Sequence, residues 1–353
     1  MIINKTILVC GGAGFIGSNF IRFIFNKYRG NIRVVNFDKL TYSGNLNNLI
    51  DIAENKRLDY RLIAGDVAER KDLERTIKKF NPNYIINFAA ETHVDRSVHT
   101  GVKEFVDTNI YGVFNILELV KKYGVEKYLQ VSTDEVYGSL ELNSKKKFTE
   151  RTLLDPSSPY SSTKTAGDLL CMAYYKSFGI PVVLSRCSNN YGPYQYPEKM
   201  IPFWFYKLSQ GEKIPIYGDG KNIRDWIHVD DHCEVLELIL TKGRIGEVYN
   251  IGADNEQSNL SVAISLIEIY KRLHSKGHLP NKTFYEFVDD RPGHDRRYAI
   301  DHAKLTKEFD WGPKFGAKEF RQKLEETIMW YEKNNQWIED TRAKTEKFNP
   351  HIK

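Results

Sequence analysis

The sequence predicts a doubly wound α/β protein, with a parallel sheet covered by helices on both faces and a smaller C-terminal lobe. Short β-rich runs alternate with longer helical patterns through the first 190 residues. Most of those runs are continuously apolar rather than alternating, as expected of strands buried on both sides. A glycine-rich turn joins the first run to the first helical pattern, where a parallel sheet of this kind places a ligand.

The strand candidates are, in order, Ile7–Cys10, Arg33–Phe37, Tyr60–Ala64, Tyr84–Asn87, Tyr128–Ser132 and Val182–Arg186. Helical patterns begin near Phe15, Lys71, Val102 and Tyr160. That alternation implies right-handed crossovers between parallel strands. In the third helical pattern Val102, Phe105, Val106, Ile110, Val113, Phe114, Leu117 and Val120 form one stripe. Tyr111, Ile116 and Leu119 widen it beyond a single core face. A fully buried helix and a helix shared between the sheet and a subunit interface both fit. After Tyr191 the rhythm breaks: Gly192, Pro193, Pro197, Pro202, Gly211, Pro215, Gly218 and Gly220 crowd together. Residues 1–190 are therefore expected to form the large domain and 191–335 mainly a smaller lobe closing a cleft, with some segments returning to the large domain. Residues 336–353 are expected to be a polar, peripheral tail.

The chain of 353 residues carries 51 basic and 46 acidic groups, a net charge of +5. So small and dispersed an excess argues against a nucleic-acid partner but leaves room for a basic cleft that takes an anionic substrate. Lys145-Lys146-Lys147 reads as a solvated loop. The four cysteines, Cys10, Cys171, Cys187 and Cys233, show neither paired spacing nor a Cys/His cluster, so no metal site or disulfide framework is expected. No apolar run is long enough to span a membrane, and the N-terminus enters strand-like sequence without a leader pattern. A soluble cytoplasmic protein is the expectation.

Gly11, Gly14 and Gly17 follow the first strand and open the first helix. Glycine lets the backbone approach a pyrophosphate, and the helix N-terminus offers unpaired N–H groups and the positive end of its dipole. The second strand runs to Asp38, 21 residues beyond Gly17. A carboxylate there can accept the adenosine ribose hydroxyls and repels a 2′-phosphate, which favours NAD over NADP. Asp66 and Val67, after the third strand, are placed to meet the adenine edge.

Tyr160 and Lys164 are four residues apart and share a helix face. A phenol with an ordinary pKa of about 10 needs a nearby cation to act as a base near neutral pH. Thr133, at the end of the preceding strand, adds a hydroxyl for the same substrate oxygen. Asp134 and Glu135 follow it directly. One acid that protonates a leaving hydroxyl, beside one base that takes a carbon-bound proton, is the chemistry such a pair supports.

From about Lys5 to Trp330 the chain resembles the nucleoside-diphosphate-glucose 4,6-dehydratases, which are NAD-dependent extended short-chain dehydrogenases with a Rossmann-type sheet. The resemblance rests on GGAGFIGSNF, DKLTYSGNL, AAETHVDRS, STDEVYG, YSSTK, RCSNNYGPYQYPEKMIP, YGDGKNIRDWIHVDD and DRPGHDRRYAID. It implies loss of water from a nucleoside-diphosphate-glucose to give a 4-keto-6-deoxy sugar, with a tightly bound NAD reset in every turnover. Related 4-epimerases usually lack both acids.

The resemblance also implies roles. Tyr160 would deprotonate the C4 hydroxyl, with Thr133 on the C4 oxygen and Lys164 supporting Tyr160. Glu135 would take the C5 proton and Asp134 would protonate the C6 hydroxyl. NAD would be held by Gly11, Gly14, Phe15, Ile16, Gly17, Asp38, Lys39, Thr41, Asp66, Val67, Phe88, Ala89 and Ala90, with Tyr160 and Lys164. The nucleotide sugar would meet Thr92, Asn190, Glu198, Lys199, Arg224, Asn259, Arg291 and His294. Thr92 stands where the family more often has Ser, and the Lys-rich stretch 139–148 lacks family features. A homodimer through the helices near Val102–Val120 and Tyr160 is implied as well.

Overall fold

The computed structural model describes residues 4–99, 101–290 and 293–348. Its strands, in chain order, are β1 Thr6–Cys10, β2 Arg33–Asp38, β3 Asp59–Ala64, β4 Tyr84–Asn87, β5 Lys127–Thr133, β6 Val182–Cys187, β7 Asn189–Tyr191, β8 Ile214–Tyr217, β9 Ile223–His228, β10 Val248–Ile251, β11 Glu256–Ser258 and β12 Tyr285–Val288. Seven of them form one parallel sheet in the order β10-β6-β5-β4-β1-β2-β3. The first six expected strands lie in it, each within one residue of its expected bounds. Because β1 sits between β2 and β4, crossovers leave it in opposite directions, and a crevice opens at the carboxyl ends of β1 and β4.

Alternate side chains of β1 serve opposite layers. Ile7 and Val9 pack with Phe20, Ile21 and Ile24 of the helix Phe15–Tyr28 and with Leu236 and Ile239 of Val229–Lys242. Leu8 and Cys10 pack with Val113, Leu117 and Cys171 from the opposite layer of helices. This two-sided burial is what the continuous apolar runs encode.

The seventh strand, β10, was not among the expected strands. Only four residues long, it lies between Gly246 and Gly252, deep in the irregular half of the sequence. The helices Val229–Lys242 and Ala303–Phe309 return to the large sheet with it. The remaining strands form a three-stranded sheet, β11-β9-β7, and a parallel pair, β12-β8. Around them lies a second core that includes Tyr191, Trp204, Leu266, Leu324 and Tyr331.

The wide apolar stripe is helical but not uniform. Lys103–Val106 is α-helical, Asp107–Gly112 is π-helical and Val113–Tyr123 is α-helical again. The widened turn aims Asn109 across the site: its amide bonds both the N–H and the carbonyl of Glu91, at 3.0 and 3.1 Å, and reaches Thr163 Oγ1 at 3.0 Å. Such bulges are frequent at functional sites.

One expectation is corrected. The stretch after residue 335 is no peripheral tail. It forms the helix Asn335–Phe348, which buries Trp337, Ile338 and Thr341; one aromatic ring and one aliphatic side chain anchor an otherwise polar segment. The Lys-rich loop is solvated at Lys145, Lys146 and Lys147, as expected; Lys147 pairs with Asp254 at 2.5 Å, and the neighbouring Phe148 is buried and stacks on Tyr137 at 5.1 Å. Among the described residues no helix is long and apolar enough to cross a membrane.

Candidate active site

A single cavity runs from the glycine turn to the end of β5. At one end Gly11, Gly14, Phe15, Ile16 and Gly17 form its floor. The helix Phe15–Tyr28 begins after Gly14 without a side-chain cap, so its first N–H groups face the cavity without an intrahelical partner. Gly17 is demanded by packing, since a Cβ there would stand 2.3 Å from the Gly11 carbonyl oxygen. A Cβ on Gly14 would meet only that same oxygen, at 3.4 Å, and would otherwise project into open space.

Asp38 closes this end. One of its carboxylate oxygens accepts the Ala13 N–H and the other accepts the Leu40 N–H, both at 2.8 Å. Burial raises its pKa, and these two N–H groups oppose the rise. Lys39 is paired with Asp66 at 2.6 Å. Thr41, Val67, Phe88, Ala89 and Ala90 complete the wall around them. An open glycine floor, a helix N-terminus and a fixed carboxylate suit a dinucleotide, with the diphosphate on the turn and the ribose at Asp38.

The opposite end is built by β5 and the helix Pro159–Phe178. Thr133 ends the strand and caps the short turn Asp134–Tyr137, its hydroxyl accepting the Glu135 N–H at 3.3 Å. Tyr160 sits in the first helical turn, fixed by Pro159 and by a reciprocal Ser158–Ser161 capping box. Lys164 lies one turn further on. Its ammonium is buried and donates to the Val131 carbonyl at 2.8 Å. Thr133, Asp134, Glu135, Tyr160 and Lys164 all line the cavity.

The electrostatics of this end differ from the expectation in one respect. Burial pushes the Tyr160 phenol well above its ordinary pKa, the Glu135 charge adds to the rise, and a hydrogen bond with Thr133 works against it. Lys164 is itself lowered by burial and is engaged by the strand carbonyl. Burial, with the Glu135 charge, thus favours the protonated form of Tyr160. Asp134 is only 2% exposed, its Oδ2 has no hydrogen-bond partner among the described residues, and burial together with the neighbouring Glu135 charge holds its pKa well above the carboxylate range. Burial and the Glu135 charge thus favour the protonated form of Asp134.

Of the expected sugar and phosphate contacts, Thr92, Asn190, Glu198 and Lys199 reach the cavity. Lys199 donates to the Thr92 carbonyl at 3.2 Å, Glu198 accepts from Tyr42 at 3.1 Å, and the Asn190 side-chain Oδ1 meets His232 Nδ1 at 2.8 Å. Arg224, Asn259 and His294 do not line it. The Arg224 guanidinium is engaged by the carbonyls of Ile223 and Asp295 and lies over the Tyr298 ring at 4.1 Å. Asn259 opens a helix, its N–H donated to Asn222. His294 pairs with Asp290 at 2.6 Å. Arg291 lies outside the described residues. The cavity also takes in Glu91, Thr108, Cys187, Gln195, Tyr196 and Trp226, which sequence reasoning did not single out. Glu91, Cys187, Gln195, Tyr196 and Trp226 stand within the segments that carry the resemblance, so their neighbours were the available signal; Thr108 lies outside them.

Sheet, glycine turn and Tyr–Lys pair together define a dinucleotide-dependent enzyme of the short-chain dehydrogenase class. Residues 8–324 match the family model described as GDP-mannose 4,6 dehydratase. A dTDP-glucose 4,6-dehydratase of Xanthomonas campestris pv. campestris is 44% identical over 95% of both chains. Two solved dTDP-glucose 4,6-dehydratases superpose on the structure. That of Bacillus anthracis, in complex with NAD, has a TM-score of 0.85 at 47% identity, covering 96% of this chain and 99% of that one. That of Streptomyces venezuelae, also with NAD bound, has a TM-score of 0.87 at 38% identity, covering 95% and 99%. The chain belongs to the dTDP-glucose 4,6-dehydratase family.

Proposed function

We propose that this protein is a hydro-lyase that converts dTDP-glucose to its 4-keto-6-deoxy derivative with NAD as a resident cofactor. The observation that carries the reading is the buried Asp134, its protonated form favoured by burial, beside Glu135 at the end of β5 and on the same cavity wall as Tyr160. An oxidation at C4 alone needs Tyr160, Thr133 and Lys164. Loss of water across C5 and C6 needs a base and an acid as well, and this pair supplies them.

In this reading Tyr160 accepts the C4 hydroxyl proton while Thr133 hydrogen-bonds the C4 oxygen. Glu135 removes the C5 proton, made acidic by the adjacent ketone. Asp134, whose protonated form burial favours, gives its proton to the C6 hydroxyl, which leaves as water. When bound, NAD⁺ would supply the hydride acceptor for C4, the hydride source for C6 and a positive charge that favours the Tyr160 phenolate. Gly11, Gly14, Gly17 and Asp38 would hold it, and Lys164 would fix its ribose. Residues 1–190 carry the cofactor and the acid–base groups, while most of 191–335 covers the nucleotide sugar, through Asn190, Glu198 and Lys199 at their junction.

The proposal extends to assembly and compartment. A homodimer through the helices Lys103–Tyr123 and Pro159–Phe178 is supported by Tyr111 and Leu169, which stay 59% and 58% exposed on them; sedimentation at the mass of one chain would count against it. A cytoplasmic location is supported by four buried, unpaired cysteines.

The test is side-by-side incubation of dTDP-, UDP-, CDP- and GDP-glucose with NAD⁺. The expected outcome is a product lighter by one water, formed fastest from dTDP-glucose. A product of unchanged mass with inverted C4 would make the protein an epimerase.

A further inference from the structure

The buried face of the helix Asn335–Phe348 is tied to the glycine-rich turn through two asparagines. Ala13, in the middle of that turn, is 1% exposed, and every polar group of its peptide is engaged. Its N–H goes to Asp38 at 2.8 Å. Its carbonyl accepts the Asn45 N–H at 3.1 Å and the Asn48 side-chain amide at 2.9 Å. Both asparagines are buried, at 5% and 1% exposure, and both continue into the C-terminal helix. The Asn48 Oδ1 accepts the indole N–H of Trp337 at 2.8 Å, and the Asn45 Nδ2 donates to Thr341 Oγ1 at 3.3 Å. On the cavity side, the hydroxyl of Tyr196 donates to the Thr341 carbonyl at 2.9 Å.

The indole N–H is a donor with no accepting capacity, so it dictates which way the Asn48 amide points. With its oxygen held by Trp337, Asn48 presents its NH₂ to Ala13. If the amide turned over, two donors would face each other at Trp337 and two acceptors at Ala13. Trp337 itself is packed against Trp330 at 5.4 Å and Tyr194 at 6.2 Å, so its N–H has a fixed direction.

We propose that the C-terminal helix is a strap that positions the glycine-rich turn: Trp337 and Thr341, acting through Asn48 and Asn45, set how tightly and how long the dinucleotide is held. This rests on the reading of the turn as the NAD site. Trp337 and Thr341 are positioning residues; neither lines the cavity.

The experiment compares wild type, Trp337→Phe, Thr341→Val and Thr341→Ser by loading each with NAD⁺, following its dissociation and measuring the melting temperature with and without NAD⁺. Trp337→Phe keeps a ring in the core and deletes only the donor. It is expected to release NAD roughly tenfold faster, the scale of one lost buried hydrogen bond. The gain in melting temperature on adding NAD⁺ should shrink with it, while the KM for the nucleotide sugar stays within about twofold, since the substrate contacts are untouched. Thr341→Val should follow in the same direction, and Thr341→Ser, which keeps the hydroxyl, should restore wild-type release. Variants that release NAD at the wild-type rate overturn the strap. So does an equal fall in melting temperature with and without NAD⁺, which would mark Trp337 as a packing residue only. A wild-type protein that takes up no NAD overturns the strap together with the cofactor reading beneath it, and the two failures are told apart by that control.

Discussion

At the glycine-turn end of the cavity, Asp38 has both carboxylate oxygens bonded to backbone N–H groups, and the Ala13 peptide beside it is held on every side. At the other end, Asp134 is as deeply buried but has an oxygen with no partner among the described residues, and Tyr160 and Lys164 are both pushed toward their neutral forms by burial. A group that only binds gains from being fully bonded, because its orientation is then fixed before the ligand arrives. A group that must give or take a proton needs an oxygen left for the substrate and a proton affinity matched to the task. The difference teaches which end does chemistry, without reference to any ligand.

The largest expected effect is at Tyr160. Tyr160→Phe keeps the ring that Phe105 packs against at 6.5 Å and removes the phenol. Turnover should fall by about 10³-fold or more, with NAD affinity near wild type. Equal losses in both would erase the contrast between the two ends. Next is Asp134→Asn. Because burial favours the neutral carboxyl, the amide is a close mimic of its shape and charge, and stability should change by less than about 1 kcal/mol. Dehydration should slow by about 10²-fold while oxidation at C4 continues, so substrate oxidised at C4 accumulates. Normal dehydration by this variant would remove Asp134 from the acid role.

At the binding end, Asp38→Asn leaves one of the two N–H groups facing a donor. NAD affinity should drop by about 2 kcal/mol, roughly thirtyfold, with turnover at saturating NAD largely kept. A fall in turnover with unchanged affinity would reverse the assignment of the two ends.

The smallest effect concerns pH. His232 is fully buried behind Asn190, and burial pushes it down to about 3 from 6.5. The unfolded chain therefore takes up a proton below pH 6.5 that the folded protein refuses until about pH 3, so its contribution to stability is lost as pH falls through that window. Asp225 and Asp231, both raised to about 6, act in the opposite sense. Comparison with His232→Gln isolates the histidine. Between pH 7 and pH 5 wild type should lose on the order of 2 kcal/mol more than the variant, measured by denaturant unfolding. Parallel pH profiles would place the proton elsewhere.

The large sheet was legible because each of its first six strands is a local apolar run bounded by turn signals. β10 was not, since four residues between glycines carry too little pattern, and its place beside β6 depends on a crossover the sequence does not announce. The catalytic end was legible for a similar reason: Thr133, Asp134 and Glu135 are consecutive, and Tyr160 and Lys164 share one helix turn. Arg224, Asn259 and His294 lie far apart in the chain, and which way each side chain faces depends on packing in the smaller sheets. The buried face of the last helix was hidden by its composition, where Trp337, Ile338 and Thr341 are diluted among charged residues. The Tyr160 proton affinity could not be read from spacing either, because burial outweighs a lysine one turn away.

The central claim is that Glu135 and Asp134 turn a C4 oxidation into a loss of water. Mass and NMR analysis of the product formed from dTDP-glucose and NAD⁺ in deuterated water tests it most directly. The account predicts a product that has lost one water and carries solvent deuterium at C5. A product of unchanged mass with hydrogen retained at C5 would contradict it.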